Sequence, residues 1–239
     1  MRCDPTRGAE ADRADGIDME TNDSIRKRRT LKVLADPTRP FAECDGEMDG
    51  TLRELMETAG HAPFHYPASE HHRDGPLDSM VPWRFHALPS SVCRSLVEWS
   101  EGAGIAVGKM NSMLSAAKAC VLVTWLPDPS DDATEFQAFE PSRRNMEHIA
   151  AASAAVQNLL LASTERGLES YWSSGGHLRT EIAYRHLGIP EREVLLGSIF
   201  LFPSDAGDAP TKPGALRERR GPLESWARVL RVDELGSGV

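Results

Sequence analysis

The chain has 239 residues, of which 40% are hydrophobic and 26% charged, and its formal net charge is −9. This balance suits one sizeable globular domain and argues against general electrostatic affinity for nucleic acid or for an anionic membrane. The apolar runs 119–126 and 194–202 are too short to span a bilayer, the amino terminus is charged, and Cys3, Cys44, Cys93 and Cys120 show no CxxC spacing; together these lead to the expectation of a soluble cytoplasmic protein with reduced thiols.

Residues 1–23 are rich in Asp, Glu, Arg, Gly and Thr and nearly free of large apolar side chains, so they read as a disordered tail before a domain at 24–239. Thr51-Leu52-Arg53-Glu54 has the capping-box pattern, and Leu52, Leu55, Met56 and Ala59 continue it at helical spacing to Gly60. Trp83 to Leu88 alternates as a strand does, a helix follows from Ser90 or Ser91 to Glu101, and another is expected from Ala106 to Ala119. Cys120 to Trp125 is a continuous apolar run typical of a buried strand. Leu126 to Pro141 reads as a surface loop, and a long helix spans Arg143 to Arg166, with Gly167 placed for a left-handed C′. A short strand, a helix from Thr180 to Leu187 closed by Gly188, and a buried strand from Val194 to Phe202 come next. Pro203 to Gly214 reads as a loop, and Pro222 sits well at the first position of a last helix through Leu230.

The long helix carries the most information. Between Ile149 and Ala162 only Ser153, Gln157 and Asn158 are polar, which leaves no solvent-facing stripe. Such a helix needs burial on every side, within a large core or between two subunits. Two cationic clusters flank this apolar middle. Arg26, Lys27, Arg28, Arg29 and Lys32 place five cations in seven residues with Thr30 among them, and Arg217, Arg219 and Arg220 lie near the other end. A charge run is ordinarily a solvated face, but guanidiniums bind phosphate bidentately, and two clusters could converge on one phosphate.

Several of these segments, in this order, resemble the nitroreductase-like flavoprotein family. Arg28-Arg29-Thr30 looks like the family's Arg-Arg-Ser, Ala59-Gly60-His61-Ala62-Pro63 like its Ala-x-x-Ala-Pro, and Pro82-Trp83-Arg84-Phe85 like its Gln-Pro-Trp-x-Phe. The Ala-rich helix with Gln157 to Ala162 and Gly167-Leu168 is similar, as are Tyr171-Trp172-Ser173-Ser174-Gly175 and Arg220-Gly221-Pro222-Leu223-Glu224. The resemblance covers roughly Arg26 to Leu230. It implies an α+β fold in which helices flank a central mixed β-sheet, with the long helix at a homodimer interface and FMN bound between subunits. Arg28, Arg29, Thr30 and Arg220 would hold the flavin phosphate. Pro63, Phe64 and His65 would lie under the ring, and the backbone of Ser173, Ser174 and Gly175 would face its reactive N5 edge. The implied activity is ping-pong hydride transfer from NAD(P)H to a small acceptor such as a nitroaromatic or quinone, with no catalytic side chain required. Two alternatives stay open: a flavin-dependent dehydrogenase or dehalogenase of a specific substrate, and a non-enzymatic flavin-binding protein.

The chain departs from the family where Pro63-Phe64-His65-Tyr66 replaces the usual hydroxyl residue, and no Asn precedes Pro82. Phe64 and His65 would then stack on or bond to the flavin in place of the usual polar pair. Eighteen residues separate Pro63 from Pro82, so a loop holding His65, Tyr66, His71 and His72 is expected over or beside the site. No metal site is expected, because the spacing of His61, His65, His71, His72 and Asp74 matches no zinc pattern. Walker, Gly-x-Gly-x-x-Gly and Gly-x-Ser-x-Gly motifs are absent. Cys93 and Cys120 read as packing residues.

Overall fold

In the computed structural model, residues 21–73, 75–105, 108–128 and 135–231 are described. The expected tail lies outside them except for its last three residues, which open helix α1 (Thr21–Lys27). After it come β1 (Leu31–Val33), α2 (Asp45–Gly60), β2 (Trp83–Pro89), α3 (Ser90–Gly102), α4 (Gly108–Ala116) and β3 (Ala119–Trp125). The second half holds α5 (Arg143–Glu165), β4 (Glu169–Ser173), α6 (Glu181–Leu187), β5 (Val194–Phe202) and β6 (Thr211–Pro213).

The main sheet runs β2-β3-β5-β4, with antiparallel ladders throughout. A parallel bridge from Thr30 to Ser170 beside β4 makes the arrangement mixed. Every residue of β3 is buried, and the two-residue period of the strand divides them. Cys120 and Leu122 join Phe200, Phe202, Leu96 and Leu114 on one face; Val121 and Val123 join Ile199, Leu201, Leu55 and Leu159 on the other. Each fully buried side chain of this kind contributes about 1.5–3 kcal/mol, so the two layers fix the register of the sheet. Cys93 and Cys120 lie fully within this interior, where burial pushes the Cys93 thiol up to about 12.

α5 begins at Ser142, whose hydroxyl accepts from the Asn145 N–H, and ends before Gly167 at φ 71°. It packs along α2 and across the sheet. A single chain does not bury it on every side: Met146, Ala150 and Gln157 are exposed and Ala154 and Leu161 half-buried, one turn above another.

The structure corrects four local readings. α2 begins six residues before the capping-box position, because the Asp45 carboxylate accepts from the Ser90 hydroxyl and from the Ser91 N–H, at 2.6 and 3.1 Å. Gly46 and Gly50 had hidden that first turn in the sequence. Residues 117–119 do not continue α4, since Ala119 already pairs with Leu201 in the sheet, and residues 106–107 lie outside the described ones. The segment read as a loop before Gly214 contains β6, which pairs antiparallel with β1. No helix runs from Pro222 to Leu230: only a 3₁₀ turn at Leu223–Ser225 forms, and Leu223, Trp226 and Val229 are 56%, 64% and 84% exposed. A nine-residue helix without a packing surface is marginal in water.

Candidate active site

The β1–β6 pair brings the two cationic clusters together. The Gly214 N–H donates to the Thr30 carbonyl at 2.8 Å, and the Thr30–Ser170 bridge ties this pair to the edge strand β4. Arg217 then reaches back across the chain, donating to the carbonyl of Arg28 at 2.8 Å and to that of Arg26. The result is an open cavity of about 780 Å³. Its described lining includes Arg28, Arg29, Thr30, Lys32, Lys212, Arg217 and Arg220, the single carboxylate of Glu218, and the rings of Tyr171 and Trp172.

Six cations face one carboxylate on these walls. Partial burial, and then the neighbouring charges of Arg217 and Arg220, lower the pKa of Arg28. Guanidiniums crowded in this way are stabilised by a multivalent anion, and Thr30 adds a hydroxyl donor. Arg29 differs from its neighbours: its guanidinium grips Glu169 on β4, with Nε 3.1 and 3.2 Å from the two carboxylate oxygens. That hydrogen bond, with the charge of Glu169, raises the pKa of Arg29.

Ser173, Ser174 and Gly175 form the turn that leaves β4. Arg179 holds the Ser174 carbonyl from two nitrogens, at 3.0 and 2.8 Å, and the Gly175 N–H donates to the Ser173 hydroxyl at 3.3 Å. Gly175 has φ 107°, and a Cβ there would come within 2.5 Å of Leu195 Cδ2, so a side chain is excluded by both conformation and space. Beside it, the Trp172 indole lies against Gly197: a Cβ at 197 would stand 2.2 Å from Trp172 Nε1. A glycine in mid-strand thus lets an indole lie close against the sheet.

Pro63, Phe64 and His65 are elsewhere. Phe64 packs edge-on against Trp83 at the start of β2, with ring centroids 5.8 Å apart, while Pro63 is exposed. His65 Nδ1 lies 3.3 Å from a Glu147 carboxylate oxygen, and Tyr66 sits under Arg144, so the loop leans on the first turns of α5. β2 and β4 are opposite edges of the four-stranded sheet, three strand spacings or roughly 14 Å apart. One chain therefore assembles Arg28, Thr30, Arg220 and the Ser173–Gly175 turn along one edge and leaves Pro63–His65 at the other. His71 and His72 line a separate cavity of about 300 Å³ with Phe139 and Arg192. Asp74 lies outside the described residues, and among those described no three histidine, cysteine or carboxylate groups converge as a metal would need.

Sequence reasoning missed Lys212, Arg179 and Gly197 as site residues and named Lys32 and Arg217 only as members of the two clusters. The one advance signal was the cationic composition of the two segments; the β1–β6 register that faces them together has none.

Residues 48–201 match the model of the Nitroreductase family. The chain belongs to this family. No curated protein matches it. Among solved structures, the nitroreductase-like family protein of Bacillus cereus is 22% identical with a TM-score of 0.58, covering 91% of this chain and 99% of its own. The nitroreductase CinD of Lactococcus lactis, in complex with nicotinic acid, is 15% identical with a TM-score of 0.59 and coverages of 89% and 100%. A Desulfovibrio desulfuricans protein in complex with FMN is 20% identical with a TM-score of 0.52 and coverages of 90% and 98%. At these identities the likeness establishes a nitroreductase-like α+β fold.

Proposed function

We propose that this nitroreductase-family chain is an FMN-dependent oxidoreductase that takes electrons from a nicotinamide donor and delivers them to a small acceptor, a nitroaromatic, a quinone or a similar molecule. The observation that carries this reading is the convergence of Arg28, Arg217 and Arg220 with Thr30 on one cavity, next to Trp172 and the Ser173–Gly175 turn. Bound FMN would supply the two-electron redox chemistry that links donor and acceptor in one pocket.

The chain's own residues bind and orient. Arg28, Arg220 and Thr30 would hold the phosphate, and Arg217 would add its charge while fastening the Arg26–Arg28 backbone. Arg29 braces β4 through Glu169. Arg179 fixes the turn whose backbone would face the ring edge. No side chain here needs to act as an acid or base.

The remaining part of the site comes from a second copy in a homodimer. Three features support this. Pro63–His65 stands on the far edge of the sheet. α5 leaves the Met146–Ala150–Ala154–Gln157 stripe open. The segment after Gly214 exposes Leu216, Leu223, Trp226 and Val229, which a second copy would cover. No described helix is long and apolar enough to cross a membrane, and the reading places the enzyme in the cytoplasm without nucleic-acid or membrane partners.

The test is the visible spectrum of the FMN-reconstituted protein under anaerobic NAD(P)H. Flavin bands that survive gel filtration and bleach on addition of donor are expected. Bound flavin that no nicotinamide donor bleaches would instead make this a flavin-binding protein, and failure to retain FMN would overturn the reading.

A further inference from the structure

Arg179 ends the 3₁₀ turn Gly176–Arg179, which follows directly on the Ser173–Gly175 turn. Its Nε and Nη2 donate to the Ser174 carbonyl at 3.0 and 2.8 Å, and Nη2 lies 3.5 Å from the Leu196 carbonyl on β5. Among the described residues no carboxylate pairs with Arg179, so its charge rests on these backbone oxygens. A guanidinium that grips one carbonyl from two nitrogens polarises that peptide more than a neutral donor does, because charge-assisted hydrogen bonds are roughly twice as strong.

The Ser174–Gly175 peptide is trans, so its N–H points away from the carbonyl that Arg179 holds. That N–H reaches only the Ser173 hydroxyl, at 3.3 Å, longer than an ordinary bond of this kind. Gly175 itself is pressed against β5, where an added Cβ would stand 2.5 Å from Leu195 Cδ2 and 3.6 Å from Ser198 Oγ. The turn therefore cannot move toward the sheet, but its peptide can turn over. Glycine takes either sign of φ at little cost, and the flip would exchange the N–H for the C=O. Arg179 selects between the two orientations, because the flipped peptide leaves the guanidinium without its carbonyl.

We propose that Arg179 is a positioning residue: it presents the Gly175 N–H, rather than the Ser174 carbonyl, to the bound flavin ring and so sets how readily that ring accepts electrons. This rests on the flavin reading above. A donor polarised by a cation stabilises electron density arriving on the ring, whereas a carbonyl oxygen in its place opposes it. Arg179 does not line the phosphate cavity, so this contribution is separable from FMN affinity.

The experiment measures three quantities on the FMN-loaded parent and on Arg179→Met: the FMN dissociation constant, the two-electron midpoint potential against a reference dye, and the affinity for sulfite. Sulfite adds its electron pair to the oxidised ring and bleaches the visible bands, more readily the more electron-poor the ring. Arg179→Met should weaken sulfite binding at least about tenfold. Its potential should fall by about 30 mV, the same tenfold for a two-electron couple. FMN affinity should stay within about threefold of the parent's. Arg179→Lys keeps the charge without the paired bond and should fall between the two; it stands in if the methionine variant misfolds. A parental potential and sulfite affinity in the variants would overturn the inference. So would a lost FMN affinity with an unchanged potential, which would assign Arg179 to the shape of the turn alone. Flavin loading of the parent is read first from the visible bands. A parent that takes no FMN overturns the flavin reading and this inference with it; a parent that takes FMN, with variants that show no shift, overturns this inference alone.

Discussion

Glu193 is buried where β5 begins, and its carboxylate accepts from the Thr124 hydroxyl at 2.5 Å and lies 2.8 Å from His86 Nε2. Burial pushes this carboxyl up, but the His86 hydrogen bond and charge, the Thr124 hydroxyl and the charge of Arg84 outweigh it and hold the pKa below the ordinary 4.5. A depressed folded pKa means that the stabilisation is fully present above about pH 4.5 and is lost as pH falls through the folded value. Glu193→Gln should cost about 1–3 kcal/mol at pH 7, because it removes a charge-assisted contact from a buried site. Its stability should also fall less steeply than that of the parent between about pH 5 and pH 3. Urea unfolding at both pH values checks this, and parallel losses in the two proteins would contradict it. None of this contact was legible in the sequence: His86 and Thr124 sit on β2 and β3 and Glu193 just before β5, and only the sheet register brings them together. Cys93 and Cys120 were legible, because each stands within a local apolar pattern that needs no partner to be read.

At the scale of elements, local signals and long-range ones separated cleanly. α5 read correctly because its apolar run and Gly167 lie within one stretch of chain. β3 and β5 read correctly because both faces are buried and every residue is apolar or small. β1 and β6 did not, since three residues carry no usable period and each exists through the other, more than 170 positions away. The helix expected after Pro222 had the right local chemistry but no surface on its own chain to pack against. The open stripe on α5 presents the same condition in reverse, a formed helix with part of its surface uncovered. In a homodimer joined along α5, Ala154→Glu would bury a carboxylate against the partner. Sedimentation velocity should show a monomer, and the flavin bands should be lost with it, because the Pro63–His65 part of the site would no longer be supplied. A dimer that persists with full flavin would place the interface on another surface.

At the scale of the whole molecule, the cationic cradle joins residues from near both ends of the described chain. α1, β1 and the Arg28–Thr30 segment meet β6 and Arg217–Arg220 at the edge of a sheet whose strands come from the middle of the sequence. The sequence contained both clusters and the order of the family's motifs; convergence needed the β1–β6 register and the reach of Arg217. The same closure explains why an acidic protein can hold a concentrated positive cavity, as the negative charge is spread over the rest of the surface. The central claim is that this cradle seats the flavin phosphate, and FMN affinity tests it most directly. Each phosphate-paired guanidinium contributes about 1.5–3 kcal/mol, so Arg28→Ala with Arg220→Ala should weaken FMN binding by at least about a hundredfold. The variant should keep the parent's far-ultraviolet circular dichroism, because both side chains line the open cavity rather than the apolar core. An FMN dissociation constant within about threefold of the parent's would contradict the account and place the phosphate elsewhere.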